Sequence, residues 1–239
     1  MNHHFITGAS RGIGKAIAEK LLLDPKNFVT GFSRKQSITH ERYSHVEIDL
    51  SDLHKVSEYD FPGIRNAEKI SLINNAGTIG KVHFAGKMEL ESIRSGYHVN
   101  LVAPTIFTNK FLGKYAENPA KQIIINVSSG AGKNPIDGWS VYCATKAGLD
   151  MFTKVVAEEL KVSGRKNVYI FAVAPGIVDT TMQDEIRTVS AKDFSQVQRF
   201  IDYKKTGQLA DPEFVAGKYL SILDIPEKYH DVLFSVKDI

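Results

Sequence analysis

The 239-residue chain contains very little cysteine and tryptophan, with a single residue of each, Cys143 and Trp139. A lone cysteine cannot form an internal disulfide, so a reducing compartment such as the cytoplasm is expected. No apolar run approaches the roughly 20 residues that span a bilayer, and the first residues do not resemble a secretory signal. The formal net charge is only +3 and basic residues are dispersed, so we expect neither a membrane nor a nucleic-acid partner.

Short apolar runs alternate with longer amphipathic stretches along the whole chain. The predicted strands are His4–Thr7, Phe28–Ser33, Val46–Ile48, Lys69–Ile73, Gln122–Ser128, Val168–Val173 and Val232–Val236. The predicted helices are Ile13–Leu23, Met88–His98, Leu101–Ala116, Tyr142–Val162 and Phe214–Leu223. Such alternation predicts right-handed crossovers and a parallel sheet covered on both faces. We therefore predict an α/β Rossmann fold, a doubly wound sheet of about seven parallel strands, in a single domain over residues 1–239.

Residues Asp179–Leu209 form the least regular segment, polar with scattered apolar side chains. We predict one or two helices there, lying over the ends of the strands. Long segments in that position often form a substrate lid, and an ordinary pair of surface helices is the alternative. The core fold is expected to resume at Asp211-Pro212, a helix cap followed by a proline in the first turn.

A glycine-rich segment, Thr7-Gly8-Ala9-Ser10-Arg11-Gly12-Ile13-Gly14, lies between the first predicted strand and an amphipathic helix. Glycines let the backbone turn tightly and approach a pyrophosphate, which then sits at the positive end of the helix. The alternative is that the glycines serve only a tight turn. The strand–turn–helix context favours dinucleotide binding, with contacts predicted at Gly8, Ser10, Arg11, Gly12, Ile13 and Gly14.

The end of the second strand indicates which dinucleotide is bound. NAD sites usually carry an acidic residue there to hold the ribose hydroxyls, but this strand ends in Ser33-Arg34-Lys35. A guanidinium can hold a 2′-phosphate through two hydrogen bonds. We therefore predict that Ser33, Arg34 and Arg11 favour NADP(H) over NAD.

Tyr142 and Lys146 lie one turn apart on a predicted helix, so their side chains share a face. A free tyrosine, with a pKa of about 10, exchanges protons poorly at neutral pH. A nearby ammonium stabilises the phenolate and lowers that pKa. Ser129, at the end of the preceding strand, could donate a hydrogen bond to a substrate carbonyl. Ser128 is the weaker candidate because its spacing to Tyr142 is one residue longer.

These motifs together resemble a known enzyme family. The matching segments are the glycine loop, Asp49-Leu50, Asn74-Asn75-Ala76-Gly77, His98-Val99-Asn100, Val127-Ser128-Ser129, Tyr142-Cys143-Ala144-Thr145-Lys146 and Pro175-Gly176-Ile177-Val178-Asp179-Thr180. In this order they resemble a classical short-chain dehydrogenase/reductase over essentially the whole chain. The resemblance implies that Tyr142 is the general acid in reduction and that Ser129 orients the carbonyl. It also implies that Lys146 holds the nicotinamide ribose and lowers the tyrosine pKa, and that Asn100 keeps a water in a proton relay.

The same resemblance implies further cofactor contacts and an assembly. It places Asp49 and Leu50 at the adenine, and Asn75 and Ala76 near its ribose. The expected contacts also include Gly77, with Pro175, Gly176, Val178, Thr180 and Met182 around the nicotinamide. Members usually associate through the helices that follow Asn100 and Tyr142, so a homodimer or homotetramer is expected. The eight histidines show no metal-ligand spacing, and we predict no metal.

A narrower resemblance connects the chain with the sepiapterin reductase group of this family and its bacterial relatives, some of which reduce benzil. It rests on residues 75–80, 138–143 and 174–183. Trp139 could form the wall of an aromatic substrate pocket by stacking; the alternative is a buried or interface tryptophan. Ser235 stands where the group carries an aspartate that anchors the pterin, and Asp231 and Asp238 are near it in sequence.

The predicted function is therefore NADPH-dependent reduction of a ketone, on a bulky small molecule such as a pterin or another vicinal dicarbonyl compound. An enzyme of the same family acting on another alcohol, sugar or acyl substrate is the first alternative. A non-catalytic NADP(H)-binding regulator is the second, and the complete set of Asn100, Ser129, Tyr142 and Lys146 argues against it.

Overall fold

The computed structural model describes all residues from 1 to 239. Its seven strands are β1 (Asn2–Thr7), β2 (Asn27–Ser33), β3 (Tyr43–Glu47), β4 (Lys69–Asn74), β5 (Lys121–Val127), β6 (Val168–Ala174) and β7 (Leu233–Ser235). All pair in parallel in one sheet of order β3-β2-β1-β4-β5-β6-β7. This confirms the predicted single-domain Rossmann-type α/β fold. The chain reverses its direction of progress across the sheet between β1 and β4, so a crevice opens beyond their carboxyl ends.

Eight α-helices connect the strands: α1 (Gly12–Leu22), α2 (Leu53–Glu58), α3 (Leu90–Tyr97), α4 (Ala103–Lys114), α5 (Ser140–Val162), α6 (Thr181–Arg187), α7 (Val197–Lys205) and α8 (Pro212–Asp224). A π-helical turn, His98–Val102, joins α3 to α4. Short 3₁₀ turns occupy Gly130–Gly132, Pro226–Lys228 and Val236–Asp238. No helix is both long and apolar enough to cross a membrane.

Helices cover both faces of the sheet, as a doubly wound fold requires. The apolar sides of α1 and α8 form one core, while α2, α4 and α5 contribute to the core on the opposite face. The run of three isoleucines in β5 shows why its sequence is continuously apolar: Ile123 and Ile125 enter the first core, and Ile124 enters the second. A strand buried on both faces has no solvent side, so it shows no polar alternation.

Three elements differ from the sequence prediction. Helix α2 was not predicted because its six residues bury only Val56 and give no helical periodicity; Asp52 caps it by accepting a hydrogen bond from the Lys55 amide. Strand β3 covers Tyr43–Glu47 instead of Val46–Ile48, since an edge strand is only partly buried. The predicted gap between two helices near residue 100 is filled by the π-helical turn.

The irregular segment Asp179–Leu209 contains two helices, α6 and α7, as predicted. Val178 and Ala210, which flank this segment, pair with each other as an isolated parallel bridge. The two ends of the segment therefore lie next to each other, and the segment forms a loop that begins and ends at the same place beside the strand ends. Helix α8 then begins as predicted, with the Asp211 carboxylate accepting from the Glu213 amide over 2.6 Å and Pro212 in the first turn.

Candidate active site

The glycine-rich loop after β1 has the geometry that a bound pyrophosphate requires. Gly8 and Gly12 adopt positive φ angles of 69° and 54°, which favour glycine. A Cβ on Gly14 would lie 2.5 Å from the Gly8 carbonyl oxygen and 2.3 Å from Asn75 Nδ2, so α1 begins in direct contact with the loop. Arg11, the residue before α1, makes no side-chain cap. The first-turn N–H groups of α1 therefore lack a side-chain partner, and this cradle fits a dinucleotide.

The adenine corner lies at the ends of β2 and β3. The Ser33 hydroxyl donates a hydrogen bond to the Lys35 carbonyl over 2.9 Å, so this hydroxyl points toward the loop that follows β2. Burial acts to raise the pKa of Asp49, but hydrogen bonds from Ser51 and the positive charge of Arg34 hold that pKa below its usual range overall. Arg34 follows β2 and Asp49 follows β3, the strand paired with β2. Leu50, beside them, is buried.

Arg11 faces helix α6. Its guanidinium lies 4.0 Å from the Glu185 carboxylate, and both side chains are more than half exposed. An exposed pair of this kind contributes little to stability. Arg11 is therefore weakly held, on the border of the crevice.

Ser129 and Tyr142 come together at the end of β5. Ser129 caps the Gly130–Gly132 turn by accepting from the Ala131 amide over 3.2 Å. Tyr142, in the first turn of α5, is 8 % exposed. Burial raises the pKa of the Tyr142 phenol, and a hydrogen bond with Ser129 acts in the opposite direction. Both side chains line the same cleft.

Lys146 is buried one turn after Tyr142 on α5. Its ammonium donates to the Val127 carbonyl over 2.7 Å and lies 5.7 Å from the centre of the Tyr142 ring. Burial lowers the pKa of Lys146 to about 8, and the Asp150 carboxylate opposes this shift. We expected Lys146 to lower the pKa of Tyr142. Burial is the largest influence on the Tyr142 phenol, and its pKa is raised overall.

Asn100 lies in the π-helical turn, where it is almost completely buried. Its Oδ1 accepts from the Thr78 amide and its Nδ2 donates to the Thr78 carbonyl, each over 2.8 Å. A longer contact of 3.3 Å joins Nδ2 to the Thr145 hydroxyl on α5. Asn100 therefore connects the loop after β4 to α5, the helix that carries Tyr142 and Lys146.

A cleft of about 930 Å³ joins the glycine loop to these side chains. Many of the predicted site residues line it: Arg11, Gly12, Ile13, Asn75, Ala76, Gly77, Ser129, Trp139, Tyr142, Lys146, Pro175, Gly176, Val178, Thr180 and Met182. The others lie outside its lining: Gly8, Ser10, Gly14, Ser33, Arg34, Asp49, Leu50 and Asn100. The structure thus brings the glycine loop and the Ser129–Tyr142 pair into one space, and the adenine corner is separate from it. No cluster of three or more histidine, cysteine or acidic side chains is placed to bind a metal.

The loop after β6 forms the wall next to the glycine loop. A Cβ on Gly12 would lie 3.3 Å from the Thr180 methyl group, so the two loops are in contact. Gly176 has a positive φ of 79°, and a Cβ at this position would lie 3.4 Å from Cε of Lys237. These contacts place the Pro175–Thr180 loop beside the glycine loop, in the lining of the cleft that also contains Tyr142.

Aromatic side chains from α7 and the segment before it form a further part of the wall. Trp139 stacks on Phe194 at 5.3 Å between ring centres and meets the Tyr142 ring edge-on at 5.7 Å. One indole face is therefore covered by protein, which limits the stacking expected from Trp139. Phe200 and Tyr203 also line the cleft. The sequence analysis missed both as site residues, and their i, i+3 spacing on a predicted helix was the available signal.

Two buried polar atoms of the cleft lining have no hydrogen-bond partner in the protein. They are Nε1 of Trp139, which can only donate, and Oε1 of Gln183 on α6. Buried polar groups are nearly always paired. These two atoms are therefore exceptions within the lining of the cleft.

The C-terminal tail contributes one carboxylate to the cleft. Asp238 is part of the lining, and its Oδ2 accepts from the Ser235 amide over 2.8 Å. Ser235 donates its hydroxyl to the Ala174 carbonyl over 3.2 Å. Asp231 is not part of the lining. Of the two acids near the expected pterin anchor, only Asp238 therefore reaches the cleft.

This combination of a doubly wound parallel sheet, a glycine loop and a Ser–Tyr–Lys group in one cleft is that of a dehydrogenase or reductase. Residues 2–191 match the short chain dehydrogenase family. The chain belongs to that family, whose members bind a nicotinamide cofactor, and it is an oxidoreductase acting on CH–OH and C=O groups.

Relatives of the chain include proteins named benzil reductase and sepiapterin reductase. The chain is 41 % identical over 241 residues to a benzil reductase ((S)-benzoin forming) of Bacillus cereus, covering 95 % of this chain and 96 % of that protein. It is 38 % identical to the enzyme of the same name from Bacillus subtilis (strain 168), with 94 % of each chain covered. Sepiapterin reductase of Rattus norvegicus is 30 % identical, over 91 % of this chain and 89 % of that one.

Solved structures of the family have the same fold. A short chain dehydrogenase/reductase from Saccharomyces cerevisiae superimposes with a TM-score of 0.85 at 25 % sequence identity. The match covers 99 % of this chain and 96 % of that one.

Proposed function

We propose that this protein is an NADPH-dependent reductase that converts one ketone of a bulky vicinal dicarbonyl compound into an alcohol. The observation that carries the proposal is the placement of Ser129, Tyr142 and Lys146 in one cleft with the glycine loop and an aromatic wall. Two relatives are named benzil reductase, and benzil is a vicinal diketone; a third is named sepiapterin reductase. The Trp139 Nε1–H group, a donor without a partner in the protein, is suited to the second oxygen of a dicarbonyl compound.

In this proposal the side chains bind and protonate the carbonyl group. When bound, the reduced nicotinamide supplies the hydride that adds to the carbonyl carbon. Ser129 donates a hydrogen bond to the carbonyl oxygen, and the Tyr142 phenol transfers its proton to that oxygen, so a neutral alcohol leaves. The raised pKa of Tyr142 keeps the phenol protonated before the reaction, as an acid must be. Lys146 holds the nicotinamide ribose, and Asn100 supports a water relay that returns a proton to Tyr142.

The substrate class is tested by following NADPH absorbance with benzil, benzyl phenyl ketone and sepiapterin. Benzyl phenyl ketone is the matched control because it lacks one oxygen of benzil. We expect benzil to be reduced with a much higher kcat/KM than the monoketone. Sepiapterin as the best substrate would redirect the assignment to pterins, and Asp238→Asn with Asp231→Asn as control would then identify the anchor. If the protein bound NADPH but reduced none of these carbonyl compounds, the proposal would be contradicted. The alternative of a non-catalytic NADP(H)-binding regulator would then be supported.

In this proposal the protein prefers NADP(H) over NAD because Arg34, with a contribution from Arg11, binds the 2′-phosphate. Arg34→Ala should weaken NADPH binding by roughly 10- to 100-fold, because a hydrogen bond to a charged group contributes about 1.5–3 kcal/mol. NADH affinity should change little. The measurement is a fluorescence titration of both dinucleotides, with Arg94→Ala on α3 as the control for loss of an exposed arginine. Equal losses for NADPH and NADH would mean that Arg34 does not recognise the phosphate.

We also propose a homodimer or homotetramer in which α5 lies at an interface. Met151 and Val155 lie one turn apart on α5 and are 58 % and 48 % exposed. Adjacent exposed apolar side chains often mark an interaction surface. Light scattering after gel filtration should give a dimer or larger mass for the wild type, and Met151→Glu with Val155→Glu should reduce it. Leu23→Glu, at the exposed end of α1, is the control. A monomeric wild type would contradict this assembly.

A further inference from the structure

Asp150 is a buried carboxylate that the proposed chemistry does not use. It lies one turn after Lys146 on α5 and is 6 % exposed. It is the only aspartate or glutamate among the buried residues of the chain. Burying a carboxylate is costly unless hydrogen bonds or opposite charges compensate for its lost hydration. Its position between the catalytic helix and the end of β5 therefore needs an explanation.

Ser128 provides one partner of Asp150. Its hydroxyl donates a short hydrogen bond to Asp150 Oδ1, and both residues line the cleft. Ser128 directly precedes Ser129 in the chain. Because adjacent residues share a peptide unit, fixing the Ser128 side chain restricts where the Ser129 hydroxyl can point. The serine that had seemed the weaker catalytic candidate thus has a defined contact of its own.

The loop after Ser129 is also in close contact with this part of α5. A Cβ on Gly132 would lie 3.0 Å from Asp150 Oδ2 and 3.0 Å from the Lys146 carbonyl carbon. Only glycine lets the loop lie this close to the helix. The chain from Ser128 to Gly132 is therefore held against α5 at both ends.

Two consecutive residues of the β5 end are bonded to two positions one turn apart on α5. The Val127 carbonyl accepts from Lys146, and the Ser128 hydroxyl donates to Asp150. We propose that Asp150 is a positioning residue, which holds the end of β5 on α5 so that the Ser129 hydroxyl meets Tyr142. This inference rests on the proposed reductase function. It assigns Asp150 no contact with substrate or cofactor.

The charge of Asp150 gives the proposal a second consequence. Burial lowers the pKa of Lys146 to about 8, and Asp150 opposes that shift. Burial raises the pKa of Asp150 itself, while its bond to Ser128 and the charges of Lys133, Lys146 and Lys154 act to lower it. Tyr142, on the same helix, is the other ionisable group facing Lys146; Asn100 and Gly77, from neighbouring elements, are neutral. Removing the carboxylate charge should therefore lower the pKa of Lys146 further.

The sign of the effect on pH dependence follows from this shift. Lys146 loses its ammonium charge as the pH rises through its pKa. If the reaction requires the ammonium, kcat/KM declines on the alkaline side. Asp150→Asn should make this decline begin at a lower pH. Ser128→Ala retains the carboxylate charge and should leave the alkaline decline close to that of the wild type.

The experiment compares Asp150→Asn, Ser128→Ala and the double variant at saturating NADPH. Benzil is the substrate, and the pH is varied from neutral to alkaline. A displacement of about 1 Å can reduce turnover about 10²-fold, so we expect each single variant to reduce kcat by roughly 10- to 100-fold. The double variant should lose less than the product of the two, because both changes remove one hydrogen bond. Glu158→Gln, an exposed acid on the same helix, is the control and should not change kcat.

Thermal unfolding and an NADPH fluorescence titration across the same pH range separate this role from a purely structural one. Folded variants with wild-type kcat and a wild-type alkaline decline would overturn the proposal, whatever their melting temperature. If Asp150→Asn does not fold, Ser128→Ala decides: a wild-type kcat overturns the proposal, and a reduced kcat at unchanged NADPH affinity supports it.

An inactive wild type would refute the proposed reductase function separately. The NADPH titration would still decide the role of Asp150. Loss of affinity starting at a lower pH in Asp150→Asn than in the wild type would support it, and identical profiles would overturn it.

Discussion

The site depends on one buried hydrogen bond, from the Lys146 ammonium to the carbonyl of Val127. An ammonium in the protein interior is costly unless it is bonded, so this bond holds α5 against the end of β5. Tyr142 lies one turn before Lys146, and Ser129 lies two residues after Val127. The lysine therefore fixes the helix that carries Tyr142 to the strand end that carries Ser129. The hydrogen bond between Lys146 and Val127 therefore affects both the ionisation of Lys146 and the relative position of the helix and strand end that carry the two hydroxyls.

The parallel sheet determines where that contact can occur. In a parallel sheet all strands end at one edge, and the order β3-β2-β1-β4 reverses the direction of the chain beyond β1 and β4. The glycine loop follows β1, Asn75 follows β4, and the Ser129 and Pro175 loops follow β5 and β6. Four loops from distant parts of the sequence therefore border one cleft. The segment that contains α6 and α7 adds a further wall, which includes Gln183, Phe200 and Tyr203.

The sequence predicts the parts of the site that are contiguous in the chain. The glycine loop and the Tyr142–Lys146 pair could be identified because their spacing alone defines their geometry. The spacing of Phe200 and Tyr203 puts them on one helix face, but it could not place them or Gln183 at the cleft, because their helices reach it only through tertiary packing. Asp150 shows the same limit, since its partner Ser128 is 22 residues away. The direction of the Tyr142 pKa shift could not be predicted from the sequence either, because it depends on the burial of the phenol, which no motif specifies.

The fold was predictable for a related reason. Strand β5 and helix α5 carry long and clear patterns, so the core elements and their order followed from periodicity. Helix α2 has too few buried residues to produce such a pattern, and the π-helical turn at Asn100 is a local departure from helix geometry. Short elements and irregular turns depend on the neighbours that surround them.

The role of Tyr142 as proton donor is tested most directly by Tyr142→Phe, measured for benzil turnover and for NADPH affinity in parallel. The account predicts that kcat falls by about 10²- to 10⁴-fold, the usual contribution of general acid catalysis, while the Kd for NADPH stays close to that of the wild type. Tyr169→Phe, on β6 beside Glu227, is the matched control and should retain full turnover. Wild-type turnover in Tyr142→Phe would contradict the account.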